Sequence, residues 1–68
     1  MNSYNLYEED HYGTILYRAV AYDREQVEIL AKDAGIDIKG LVIELEKMNV
    51  RDEIGRPYKP YIEDALIR

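Results

Sequence analysis

Residues 14–35 read TILYRAVAYDREQVEILAKDAG. The first part, 14–22, is rich in β-branched and aromatic residues and contains neither Gly nor Pro, which is the composition of a strand. The second part is a helix whose two ends are both marked. Asp23 is a good N-cap and Gln26 stands three positions later, so each side chain can satisfy a backbone N–H that the first helical turn leaves without a partner. Tyr22 and Val27 fit the hydrophobic staple around that cap, and Gly35 fits the left-handed residue that ends a helix. Between the caps, Val27, Leu30, Ala31 and Ala34 follow the i, i+3, i+4, i+7 stripe, while Glu28 and Lys32 form an i, i+4 pair on another face. The stretch predicts a strand over 14–22 leading directly into a helix over 23–35.

Working outward, residues 41–50 alternate, with Leu41, Ile43 and Leu45 on one face and Val42, Glu44, Glu46 and Met48 on the other. Such alternation marks a half-buried strand. Residues 4–9 form another strand, joined to residue 14 through Asp10, His11, Tyr12 and Gly13, where glycine can take the positive φ of a tight connection. Beyond residue 51, Gly55, Pro57 and Pro60 exclude a regular helix or a central strand at first. Pro60 then opens a short terminal helix with Ile62, Ala65 and Leu66 on one face. The expected fold is one α+β domain over 1–68, in the order β-β-α-β. It has a three-stranded sheet, one covering helix at 23–35 and a proline-containing C-terminal segment.

At 68 residues the chain is in the range where burial only just exceeds the entropy of ordering. It has no Cys and a single His, so neither a disulfide nor a thiolate metal site reinforces it. The missing reinforcement points to association, either with a partner or with a second copy. The strand at 14–22 points the same way. Ile15, Tyr17, Ala19 and Ala21 line one of its faces, and Leu16, Val20 and Tyr22 surround Arg18 on the other. A strand apolar on both sides belongs inside a sheet covered on both sides, and one helix covers only one.

The net charge is −5, from 14 acidic and 9 basic residues spread along the chain. Because affinity for nucleic acid comes from Lys and Arg displacing counterions, direct nucleic-acid binding is disfavoured and a partner with a basic surface is favoured. No apolar run approaches the roughly 20 residues that span a bilayer, and the first residues lack a signal peptide's basic and apolar regions. No membrane association is expected, and a cytoplasmic location is.

Several constellations suggest chemistry, each with a plainer explanation. Glu8, Glu9, Asp10 and His11 gather hard ligands, but consecutive strand residues face opposite ways, and the group reads as a solvated hairpin tip. Glu44 and Glu46 should lie about 6.6 Å apart, twice the rise per strand residue, near the separation of paired glycosidase carboxylates. Nothing nearby raises one acid above the other, so they read as the wet face of a strand. The run Arg56 to Tyr61, RPYKPY, carries a P-x-x-P spacing and reads as a stiffened loop that docks the tail. Ser3 and Thr14 have no activating base, and Gly35 and Gly40 lack phosphate-loop spacing. The expectation is a protein that is not an enzyme, with no cofactor and no metal.

The seven tyrosines are the only aromatic residues, and tyrosine joins apolar area to a hydroxyl that tolerates water, as interfaces require. Tyr17 and Tyr22 are expected in the core, whereas Tyr4, Tyr7, Tyr12, Tyr58 and Tyr61 should reach the surface. The candidate partner-binding residues are Tyr7, Tyr12, Glu44, Glu46, Asp52, Glu53, Tyr58, Tyr61, Glu63 and Asp64. In size, acidity and tyrosine usage the chain is similar in genre to small accessory proteins of phages and mobile elements. The expected function is that of an acidic protein-binding module. It would be an inhibitor or regulator that mimics nucleic acid and occupies a basic site on a nucleic-acid-handling protein. The alternative is an obligate homo-oligomer, a structural or accessory protein closed through a sheet face or the C-terminal segment.

Overall fold

The computed structural model describes residues 1–10, 14–51 and 59–65. Strands β1 (Asn2–Glu8) and β2 (Tyr17–Ala21) precede helix α1 (Arg24–Asp33), which is followed by β3 (Leu41–Lys47) and β4 (Tyr61–Asp64). The four strands form one antiparallel sheet in the order β3-β1-β2-β4. Because β2 and β3 both run antiparallel to β1, they run parallel to each other on its two sides, and α1 makes the long crossover that such a pair needs.

The fourth strand corrects the expected three-stranded sheet, and it replaces the short helix expected after Pro60. Tyr61, Ile62 and Glu63 pair with Val20, Ala19 and Arg18, filling the edge of β2 that a three-stranded sheet would leave open. Ladder hydrogen bonds and burial of Ile62 against the core outweigh what one isolated helical turn could supply. Pro60 immediately precedes the strand, where its missing N–H costs no ladder bond.

Strand alternation divides the side chains between a helix face and an open face. The helix face carries Tyr4 and Leu6 from β1, Ala19 and Ala21 from β2, and Ile43 from β3, which form one buried cluster with Val27 of α1. Tyr17, Leu30, Leu41 and Ile62 pack around it. Leu6 and Val27 are the largest wholly buried side chains. The small residues Ala19 and Ala21 of β2 let the helix approach the sheet, where Val27 and Ala31 are buried and Leu30 packs against the cluster.

Two tyrosine assignments change for a topological reason. Tyr4 and Tyr7 were expected at the surface and are buried, because β1 is an interior strand flanked by β2 and β3 and not the edge of a hairpin. Tyr22 was expected in the core and is 65% exposed, because β2 ends at Ala21 and the chain turns there into the helix cap.

The helix ends form largely as their residues dictate. The Asp23 carboxylate accepts from the Gln26 amide at 2.8 Å, while the Gln26 side chain accepts from the Tyr22 amide at 2.7 Å, one residue before the position that a capping box usually closes. Glu28 pairs with Arg24 at 3.5 Å in place of the expected Lys32, an exposed contact that contributes little. At the other end Ile36 donates to the Ala31 carbonyl and Gly35 to that of Lys32, at 2.8 and 3.1 Å, the double closure of a Schellman motif. Gly35 has φ +76 with open space where a Cβ would stand. Gly35→Ala should therefore destabilise through backbone strain alone, by about 1 kcal/mol, lowering the thermal midpoint by about 4–8 °C. Gly35→Asn should cost less, and equal midpoints for the two variants would contradict the cap assignment.

Candidate functional site

The open face of the sheet has no helix over it among the described residues, yet three of its side chains, Asn5, Tyr7 and Val20, are buried. From edge to edge, one row runs Glu44 on β3, Asn5 on β1, Arg18 on β2 and Glu63 on β4, fixed by the registers Asn5↔Glu44, Asn5↔Arg18 and Arg18↔Glu63. The next row holds Lys47, Ser3, Val20 and Tyr61 by register, with Glu46 beside Lys47 and hydrogen-bonded to Ser3. Strands lie about 4.8 Å apart, so Glu44 and Glu63 stand about 14 Å from each other with Arg18 between them. The row therefore presents negative, positive and negative charge in that order.

The two β3 carboxylates are held in place. Tyr7 Oη donates to Glu44 Oε2 at 3.1 Å, and Ser3 Oγ donates to Glu46 Oε1 at 2.7 Å. The first bond is a diagonal cross-strand contact, since Tyr7 lies opposite Val42. The second depends on a register shift between Ser3 and Tyr4, which sets Tyr4 opposite Leu45 but Ser3 opposite Lys47. Glu46 is thus the extra residue of a β-bulge, a feature that re-aims side chains at sheet edges. The second oxygen of each glutamate makes no hydrogen bond among the described residues.

Asn5, at the middle of this face, is 8% exposed, and its Oδ1 is buried without a hydrogen-bond partner. Its register neighbour Arg18 is exposed, and among the described residues neither Arg18 nor Glu63 forms an ion pair. A buried acceptor without a donor costs about 1–3 kcal/mol. Asn5→Val should recover much of that and suit the strand better, raising the thermal midpoint by about 5 °C or more. A lower midpoint would mean that other bonds of the amide offset its burial.

Beside this row a depression of 290 Å³ is lined by Ser3, Arg18, Val20, Glu46, Lys47 and Arg51, among others. It mixes three cations with carboxylates, so the open face is not uniformly acidic. A second depression, of 420 Å³, lies on the opposite side and brings Ile29, Ile36 and Ile38 together beside Glu25, Glu28 and Asp37.

Of the expected contact residues, Glu44, Glu46, Tyr61 and Glu63 share the open face. Tyr7 also belongs to it but is 8% exposed, which corrects its role from a contact to a buried support for Glu44. Asp64 is exposed but faces the helix side, opposite Tyr17, so it is separated from Glu63. Tyr12, Asp52, Glu53 and Tyr58 lie outside the described residues, as does His11 of the acidic hairpin tip. Ser3, Asn5 and Arg18 were not anticipated as parts of a site. The alternation of Ser3 and Asn5 with Tyr4 and Leu6 is a two-residue period that marks them as the second face of a strand.

Among the described residues no group of three or more His, Asp or Glu could hold a metal ion, and no helix is long and apolar enough to cross a membrane. The chain matches no protein-family model, no curated protein and no solved structure. Its function must therefore be read from these residues.

Proposed function

We propose that this chain is a small acidic protein-binding module, an inhibitor or regulator that occupies a basic site on a nucleic-acid-handling protein through the open face of its sheet. The observation that carries this reading is the pair of β3 carboxylates anchored from β1, Glu44 by Tyr7 and Glu46 by Ser3. Anchoring removes rotamer freedom before a partner arrives, so less entropy is lost when a lysine or arginine pairs with the remaining oxygens. Glu63 adds a third carboxylate across the sheet, and Tyr61, 36% exposed, supplies amphipathic area of the kind that anchors interfaces. The net charge of −5 gives long-range attraction to a basic surface. Arg18 within the row adds a requirement: the basic site must also offer an acid or a carbonyl to Arg18.

The test is capture from the native cell extract with the tagged chain at low and high salt, after nuclease treatment. The captured protein is then titrated for nucleic-acid binding in the presence of the chain. A stoichiometric, nuclease-resistant partner that is lost at high salt and is displaced from its nucleic acid by the chain is the expected result. Recovery of the chain alone, as a dimer that dissociates only on unfolding, would replace this reading with the homo-oligomer. A partner that binds the chain and nucleic acid together would remove the inhibitory mechanism.

A further inference from the structure

We propose that the partner adds a strand to the outer edge of β3, through an extended segment in which basic and apolar residues alternate. This deepens the preceding proposal and rests on its premise of a basic protein partner. β3 is the longer of the sheet's two edge strands, seven residues against four for β4, and no described strand pairs with its outer side. The N–H and C=O groups on such an edge form a template for another chain.

The side chains along the edge specify what pairs there. On the helix face, Leu41 and Ile43 pack into the core and Leu45 remains 48% exposed, so an added strand would extend the apolar layer by placing apolar residues beside them. On the open face the same strand presents Val42, Glu44 and Glu46, with one oxygen of each glutamate already held. Residues of the added strand on this face would need to be cationic, since opposite charges across a strand pair stabilise it and like charges do not. The two glutamates make the face next to the edge rich in acceptors, as a lysine- or arginine-bearing segment requires.

The same residues argue against the longer pairings with a second copy. In the antiparallel register that aligns all seven residues and keeps both helices on one side, Glu44 meets its own copy. With the centre moved to Leu45, Glu44 meets Glu46 at two places. Centred on Ile43, two copies meet with Leu41 opposite Leu45, Val42 opposite Glu44 and Ile43 opposite its own copy, with no carboxylate pair. Charge thus discourages the longer self-pairings while the edge stays open to a segment of opposite charge, and a stable dimer of the free chain in light scattering would overturn the proposal. The bulge at Glu46 ends regular pairing, so the added strand would run along residues 41–45.

The test uses two synthetic peptides of identical composition, one alternating lysine with valine over nine residues and one with the lysines grouped at one end. Each is titrated into the full chain labelled with nitrogen-15. The alternating peptide should bind at least tenfold more tightly than the grouped one, and it should slow amide exchange at alternate residues within 41–45. Methylating the peptide nitrogens on one edge should abolish that protection, and Glu44→Lys with Glu46→Lys should weaken binding at least tenfold without changing the circular dichroism of the chain. Equal affinity for the two peptides would overturn strand addition, as would shifts confined to Tyr61, Glu63 and Arg18. A salt-sensitive protein partner captured in the preceding experiment, combined with that negative result, would leave the module reading standing and remove only the edge. Conversely, strand addition by the peptide without any captured partner would retain the edge and discard the inhibitor.

Discussion

Leu6→Ala should lower the thermal midpoint by more than about 10 °C and leave a measurable unfolded population at 37 °C. Leu6 is 0% exposed and lies on the interior strand, between Tyr17 and Ile43. Truncating a buried leucine costs about 2–5 kcal/mol, through lost transfer energy and the cavity left behind. Domains carry roughly 0.05–0.15 kcal/mol of stability per residue, or about 3–10 kcal/mol for a chain of 68 residues. One methyl-rich side chain therefore represents a large share of the total, with no disulfide to offset its loss. Ile29→Ala is the control, because Ile29 is 54% exposed and should change stability by no more than about 0.5 kcal/mol. Urea denaturation of the two variants checks the contrast, and similar losses would mean that the core is not centred on Leu6.

Replacing Glu44, Glu46 and Glu63 with lysine should abolish capture of a basic partner while leaving the fold intact. All three are exposed and none belongs to the core cluster, so the folding cost is small. Losing one partner of a desolvated charge pair costs about 2–5 kcal/mol, and reversal adds repulsion, so the combined loss should exceed about 1,000-fold. The glutamine triple variant separates two effects. If the carboxylates act through long-range attraction, glutamine should slow association and flatten the salt dependence. If they act through short hydrogen bonds, it should mainly speed dissociation. Affinity unaltered by either triple variant would remove the open face from the interface.

The sequence makes the helix legible because local chemistry specifies it. Asp23, Gln26 and Gly35 act within a few residues of themselves, and the Val27–Leu30–Ala31 stripe has a period that only a helix satisfies. The strand from Leu41 is legible through the two-residue period of Leu41, Ile43 and Leu45, and the strand before the helix through its β-branched and aromatic composition. What was not legible is strand order. Whether Tyr4 and Tyr7 are buried depends on β3 lying against the second edge of β1, a contact between residues some forty positions apart that no local pattern encodes. The nature of Tyr61–Asp64 is likewise decided by the open edge of β2 and not by its own four residues, which pattern alone leaves ambiguous. The site divides along the same line. Glu44 and Glu46 follow from alternation, whereas Ser3 and Tyr7 became their anchors only once β1 and β3 were neighbours, and the bulge that brings Glu46 to Ser3 had no marker such as glycine.

The interior position of β1 sets an order of events when the chain is made. β1 leaves the ribosome first, and β2 follows closely enough for the two to pair. The partner of Ser3 on the other side is Lys47, and at about 5–20 residues per second that partner arrives roughly 2–9 s after Ser3. During this interval Tyr4, Leu6 and Tyr7 have one unpaired flank, and the nascent hairpin is an incomplete sheet seeking a strand. A chaperone that shields this flank, or a neighbouring nascent chain that mistakenly fills it, would therefore influence the yield of folded chain.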